Sequence, residues 1–127
     1  MDCTILKALN TLARKASKAT TLTHQWAIHL LDYMAMHPEA TIRYYASDMI
    51  LKVHSDASYL NEEDARSSYA GYFFLGDKQG DDEPLRLNGP VDIICSILKL
   101  VVASAAESEL GGLFHNGQWA SVHRLTL

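Results

Sequence analysis

Apolar residues recur at intervals of three and four in two stretches near the start of the chain. In residues 4–13, Ile5, Leu6, Leu9, Leu12 and Ala13 fall on one helical stripe. Residues 15–23 are small and polar and read as a linker, with Thr23 as the N-cap of the next helix. Trp26, Ala27, Leu30, Leu31 and Met34 then define that second amphipathic helix. His37-Pro38 ends it, because the residue before proline avoids helical backbone angles.

From there the period shortens. Residues 41–46 and 49–55 read as strands joined at Ser47-Asp48. In the second, Ile50, Lys52, His54 and Asp56 share one side, and Leu51, Val53 and Ser55 the other. Residues 71–76 form a third strand, and residues 77–90, with their Gly, Asp and Pro, a loop. Residues 91–103 are rich in β-branched side chains, which favours a strand, although their length also allows a helix. A last helix starts at Ser104 or Ala105, with Ala106, Leu110, Leu113 and Phe114 expected inside and Glu109 at the edge of that face. Gly111, Gly112 and Gly117 each weaken it by about 1 kcal/mol relative to alanine. The expected fold is α+β: two helices, a three-stranded antiparallel sheet (near 49–56, 69–76 and 92–103), then one helix across it.

Composition narrows the class. The 127 residues suffice for one domain with a modest core, and 48% apolar with 20% charged residues is a globular profile. The net charge of −4 argues against a strong self-sufficient nucleic-acid binder, although Lys7, Arg14, Lys15 and Lys18 cluster in the first twenty residues. The apolar stretch 91–106 is interrupted by Asp92, Ser96, Lys99 and Ser104 and is too short to span a membrane. The N-terminus lacks a secretion-signal pattern, so Cys3 and Cys95 are read as reduced thiols and the location as intracellular. There is no Cys/His metal cluster, Gly-rich phosphate loop or nucleophile elbow.

The candidate chemistry is carboxylate chemistry. Asp56 ends an apolar strand, which would hold it rigidly, and Glu109 lies in the last helix. Hard oxygen donors of this kind suit Mg²⁺, and two such ions about 4 Å apart can drive phosphodiester hydrolysis. The plainer reading makes Asp56 a turn cap and Glu109 a solvated helix residue. Glu62-Glu63-Asp64 reads as a solvated acidic loop, and His54 as a neighbour of Asp56 on the same strand side. Tyr44, Tyr45, Tyr59, Tyr69, Tyr72, Phe73 and Phe74 are either core or stacking surfaces for bases.

Four motifs in order carry a resemblance. Ala46-Ser-Asp-Met-Ile-Leu-Lys-Val-His-Ser-Asp-Ala-Ser-Tyr-Leu60, then Ala65-Arg-Ser67, then Gly71-Tyr-Phe-Phe-Leu-Gly76, then Ser104-Ala-Ala-Glu-Ser-Glu-Leu-Gly-Gly-Leu113 resemble the ribonuclease H domain of copia-type LTR retrotransposon polyproteins. Upstream, Leu30-Leu-Asp-Tyr-Met34 with His37-Pro38 is similar to the segment linking reverse transcriptase to that domain. The resemblance implies a helical connection over residues 1–40 and a truncated ribonuclease H-like domain over 41–127. It implies that Asp56 and Glu109, with Glu107 the second choice, are catalytic residues and ligands of Mg²⁺ or Mn²⁺. The implied reaction is metal-dependent hydrolysis of the RNA strand of an RNA–DNA hybrid, which makes the hybrid the expected partner.

The pattern also departs from the family. The family's third catalytic aspartate and a fourth carboxylate would come after the last helix, and the chain ends at Leu127 before either. Gly112 replaces a more usual alanine, and Trp119 stands where a charged residue is expected. The expectation is therefore a nuclease fragment that binds metal weakly and is inactive alone, with an open sheet edge that invites self-association. The alternatives are a non-enzymatic nucleic-acid-binding or interaction remnant, or a pseudogene product.

Overall fold

The computed structural model describes residues 3–80 and 83–127; Met1, Asp2, Asp81, Asp82 and the side chains of Cys3 and Glu63 lie outside the described residues. The chain divides into two compact units, Met1–Ile42 and Arg43–Leu127.

In the first unit a 3-10 turn leads into α1 (Leu6–Lys15), and a second 3-10 turn, Ala16–Lys18, leads into α2 (Thr21–Met36). The linker expected over residues 15–23 is thus mostly helical. Thr20, not Thr23, caps α2. The Thr20 hydroxyl accepts from the Thr23 N–H at 3.2 Å, and the Thr23 hydroxyl accepts from the Thr20 N–H at 3.2 Å. This reciprocal box satisfies two donors that the first turn leaves open. Lys15 Nζ lies 5.5 Å from the centre of the Trp26 ring, a cation–π contact between the two helices. The helix ends at His37, as the adjoining proline requires, with the His37 N–H bonded to Tyr33 O at 3.0 Å.

The second unit is an antiparallel meander, β1 (Ile50–Glu62), β2 (Arg66–Gly76) and β3 (Pro90–Ile97), in that spatial order. Its helix, α3 (Ala105–Thr126), crosses one face. β1 pairs regularly with β2 from Ile50 opposite Gly76 to Ser58 opposite Ser68; the register then slips before Glu62 meets Arg66. The slip coincides with Leu60 at a positive φ of 52°. The hairpin turns through Asp64 and Ala65, both also at positive φ. A second slip lies between β2 and β3, where Phe73 faces Asp92 but Phe74 faces Pro90. Pro90 begins an outer strand, a position where a missing N–H costs little.

Two strand expectations are corrected. Residues 41–46 form no strand, because their polar groups are taken by a loop side chain instead of a ladder. The Tyr45 N–H donates to Asn88 Oδ1 at 2.8 Å and Asn88 Nδ2 donates back to Tyr45 O at 2.9 Å. β3 stops at Ile97, not 103; Leu98 still donates to Ser67 O at 2.9 Å, after which the chain leaves the sheet.

The core centres on two successive residues. Phe73 and Phe74 are both 0% exposed, and strand alternation sends them to opposite faces. Phe73 lies under α3, edge-on to His123 at 5.0 Å between ring centres. Phe74 lies on the other face, 5.7 Å from His54 and 5.6 Å from Tyr72.

The buried face of α3 is not the expected one. Leu110, Leu113 and Phe114 are 66%, 59% and 59% exposed, whereas Ser108, Gly111, Gly112 and Asn116 are buried. Small residues win this face because the helix approaches very closely. A Cβ on Gly112 would lie 3.2 Å from the Cβ atoms of both Ala57 and Tyr69, and one on Gly111 would lie 3.2 Å from Leu98. No helix among the described residues is long and apolar enough to cross a membrane.

Candidate functional site

β1 positions Asp56. Its neighbours Ser55 and Ala57 meet α3: Asn116 Nδ2 donates to Ser55 Oγ at 2.8 Å, and Gly112 rests on Ala57. By alternation, the Asp56 side chain points to the sheet face that α3 leaves uncovered. There it is exposed, on the side that alternation also gives to Lys52 and His54.

α3 positions Glu109, and its N-terminus separates the two glutamate candidates. Ser104 caps the helix by accepting from the Glu107 N–H at 3.1 Å. The Glu107 carboxylate reaches back to accept from the Ala103 N–H at 2.7 Å. Glu107 is thereby committed to the cap, a favourable place for a carboxylate at the positive end of the helix dipole. Glu109 carries no such task. It is exposed and, among the described residues, makes no hydrogen bond or ion pair; the same holds for the Asp56 side chain.

Glu109 comes directly after Ser108, whose hydroxyl donates to Ser58 O at 3.0 Å. A step of about 100° from Ser108, away from Gly111 and its contact with Leu98, turns Glu109 toward the open edge of β1. The two carboxylates therefore flank the same strand edge but approach it from opposite faces of the sheet. Their hard oxygens suit Mg²⁺ or Mn²⁺ chemically. Among the described residues no group of three or more His, Cys, Asp or Glu side chains is arranged to hold a metal.

The other candidates sort readily. Tyr69, Phe73 and Phe74 are buried and unavailable to stack on bases. Tyr44 and Tyr45 are exposed, but Tyr44 Oη donates to Pro90 O at 2.9 Å, and the Arg86 guanidinium lies 4.5 Å from the centre of the Tyr45 ring. His54 shares the face of Asp56 and packs on Phe74.

Two pairings were not anticipated. His123 Nε2 meets Asp92 Oδ2 at 2.9 Å, tying the last turns of α3 to β3. Tyr69 and His115 stack at 5.1 Å. Both join residues far apart in sequence, and no local spacing signals them. Asn116, 1% exposed, also donates to Ala70 O at 2.8 Å, while its Oδ1 lacks a partner among the described residues and faces Gly71.

No family model matches the chain, and no curated protein or solved structure matches it.

Proposed function

We propose that this chain is a ribonuclease H-type segment of retrotransposon origin, whose nucleic-acid partner is an RNA–DNA hybrid and which cleaves poorly or not at all on its own residues. The observation that carries the reading is topological. An antiparallel three-stranded meander is followed by one helix crossing it, with Asp56 on the first strand and Glu109 in the opening turns of that helix. This is the arrangement that the ordered motifs imply for the first two carboxylates of the family. The engagement of Glu107 in the helix cap supports Glu109 as the second acid. Mg²⁺ or Mn²⁺ would be held weakly, because two carboxylates approaching from opposite faces supply few ligands to any one ion.

That same opposition of faces favours a second reading, binding without cleavage. One experiment separates the two. The chain is titrated with a labelled RNA–DNA hybrid and with duplex DNA of the same sequence, and cleavage is followed in Mg²⁺ or Mn²⁺. The expected result is salt-sensitive binding that prefers the hybrid, with trace cleavage at most. Robust cleavage abolished by Asp56→Asn and by Glu109→Gln would show a competent nuclease and overturn the proposed weak metal binding. Unchanged hybrid binding in both variants, without cleavage, would establish the second reading. Absence of any preference for hybrid over DNA would sink the ribonuclease H assignment.

A further inference from the structure

We propose that the outer edge of β1 is an isologous dimerisation edge, pairing antiparallel with β1 of a second copy about a two-fold axis at His54. β1 is an outer strand of the sheet. Its regular stretch, from Ile50 to Ser58, contains no proline. Among the described residues, its backbone is engaged outside the sheet only at the far end, where Ser58 O accepts from the Ser108 hydroxyl. Such an edge presents a row of open donors and acceptors to any extended chain.

Charge and register select the occupant. The regular stretch runs from residue 50 to the slip after 58, so its midpoint is His54. An antiparallel copy centred there brings every residue of the stretch opposite a partner. Lys52 of one copy then faces Asp56 of the other, and the pairing occurs twice. Lys52 and Asp56 lie on the same sheet face by strand parity, so both ion pairs form on the face away from α3. Registers centred one residue later at Ser55 or two later at Asp56 lose this match; the latter sets Asp56 against itself. Opposite charges directly across a ladder stabilise it and like charges oppose it. The same edge cannot grow further, because an isologous contact closes, whereas pairing β1 with β3 of another copy would be open-ended. β3 is also poorly suited, since it begins at Pro90 and its register slips beside Asp92.

Asp56 belongs to both this surface and the proposed nuclease site, so Lys52, which has no part in the latter, separates the two. Sedimentation of the full chain over a range of concentrations should show a monomer–dimer equilibrium. Lys52→Asp and Asp56→Lys should each weaken dimerisation roughly tenfold or more by setting like charges opposite. The double exchange, Lys52→Asp with Asp56→Lys, should restore it. Circular dichroism on each variant identifies any that fail to fold, and the restored double exchange is the arm that misfolding cannot mimic. A chain monomeric at every concentration, species larger than a dimer, a dimer indifferent to both reversals, or a double exchange that fails to restore it would each overturn the proposal. None of these outcomes bears on hybrid cleavage, which is read separately.

Discussion

At the residue scale, the glycines of the second unit differ sharply in what they hold open. Gly71 faces Asn116 and Phe73 so closely that a Cβ there would overlap the Asn116 carboxamide. Gly71→Ala should therefore destabilise the chain by about 1–3 kcal/mol through overpacking. Gly117, on the same helix as Asn116 but with nothing within 4 Å of a Cβ, has no such role. Gly117→Ala should stabilise by about 1 kcal/mol, the helix-propensity difference. Urea unfolding midpoints of the two variants check both signs. If Gly71→Ala were neutral, the close seating of Asn116 over β2 would be wrong.

At the element scale, α3 begins where the sequence says it should, and its first turn assigns its acids. Glu107→Ala removes the carboxylate that accepts from Ala103 and should cost about 1 kcal/mol, in the range of lost caps. Glu109→Ala, at an exposed position without partners among the described residues, should stay within about 0.5 kcal/mol. Thermal unfolding of the pair tests this; equal losses would remove the argument for Glu109 as the acid free to do chemistry. Much of the element layout was legible: the two helices, the three-strand meander and Ser104 at the last helix start all emerge from local pattern and capping chemistry. The face that α3 buries was not. Large apolar residues at Leu110, Leu113 and Phe114 mark a stripe, but Ser108, Gly111, Gly112 and Asn116 fit a backbone at close range. Distance to the sheet is a tertiary quantity that periodicity does not encode. Residues 41–46 misled for a related reason: β-prone side chains met the Asn88 carboxamide rather than a strand.

At the scale of the whole molecule, the candidate site was legible only in part. Strand parity sets Asp56 on the side of Lys52 and His54, but which sheet face the helix would cover was open. That choice sets Asp56 and Glu109 on opposite faces. The same choice has a mechanical consequence. α3 docks through its own small residues, but the side chains it covers on the sheet side include Phe73, Tyr69 and Leu98. The helix should behave as a latch, lifting as a unit at a free energy below that of global unfolding. Native-state hydrogen exchange should find the amides of α3 opening before those of β2, with a denaturant dependence smaller than that of global unfolding but set by the exposure of Phe73, Tyr69 and Leu98. Identical opening energies in both elements would mean that the latch and the sheet give way together.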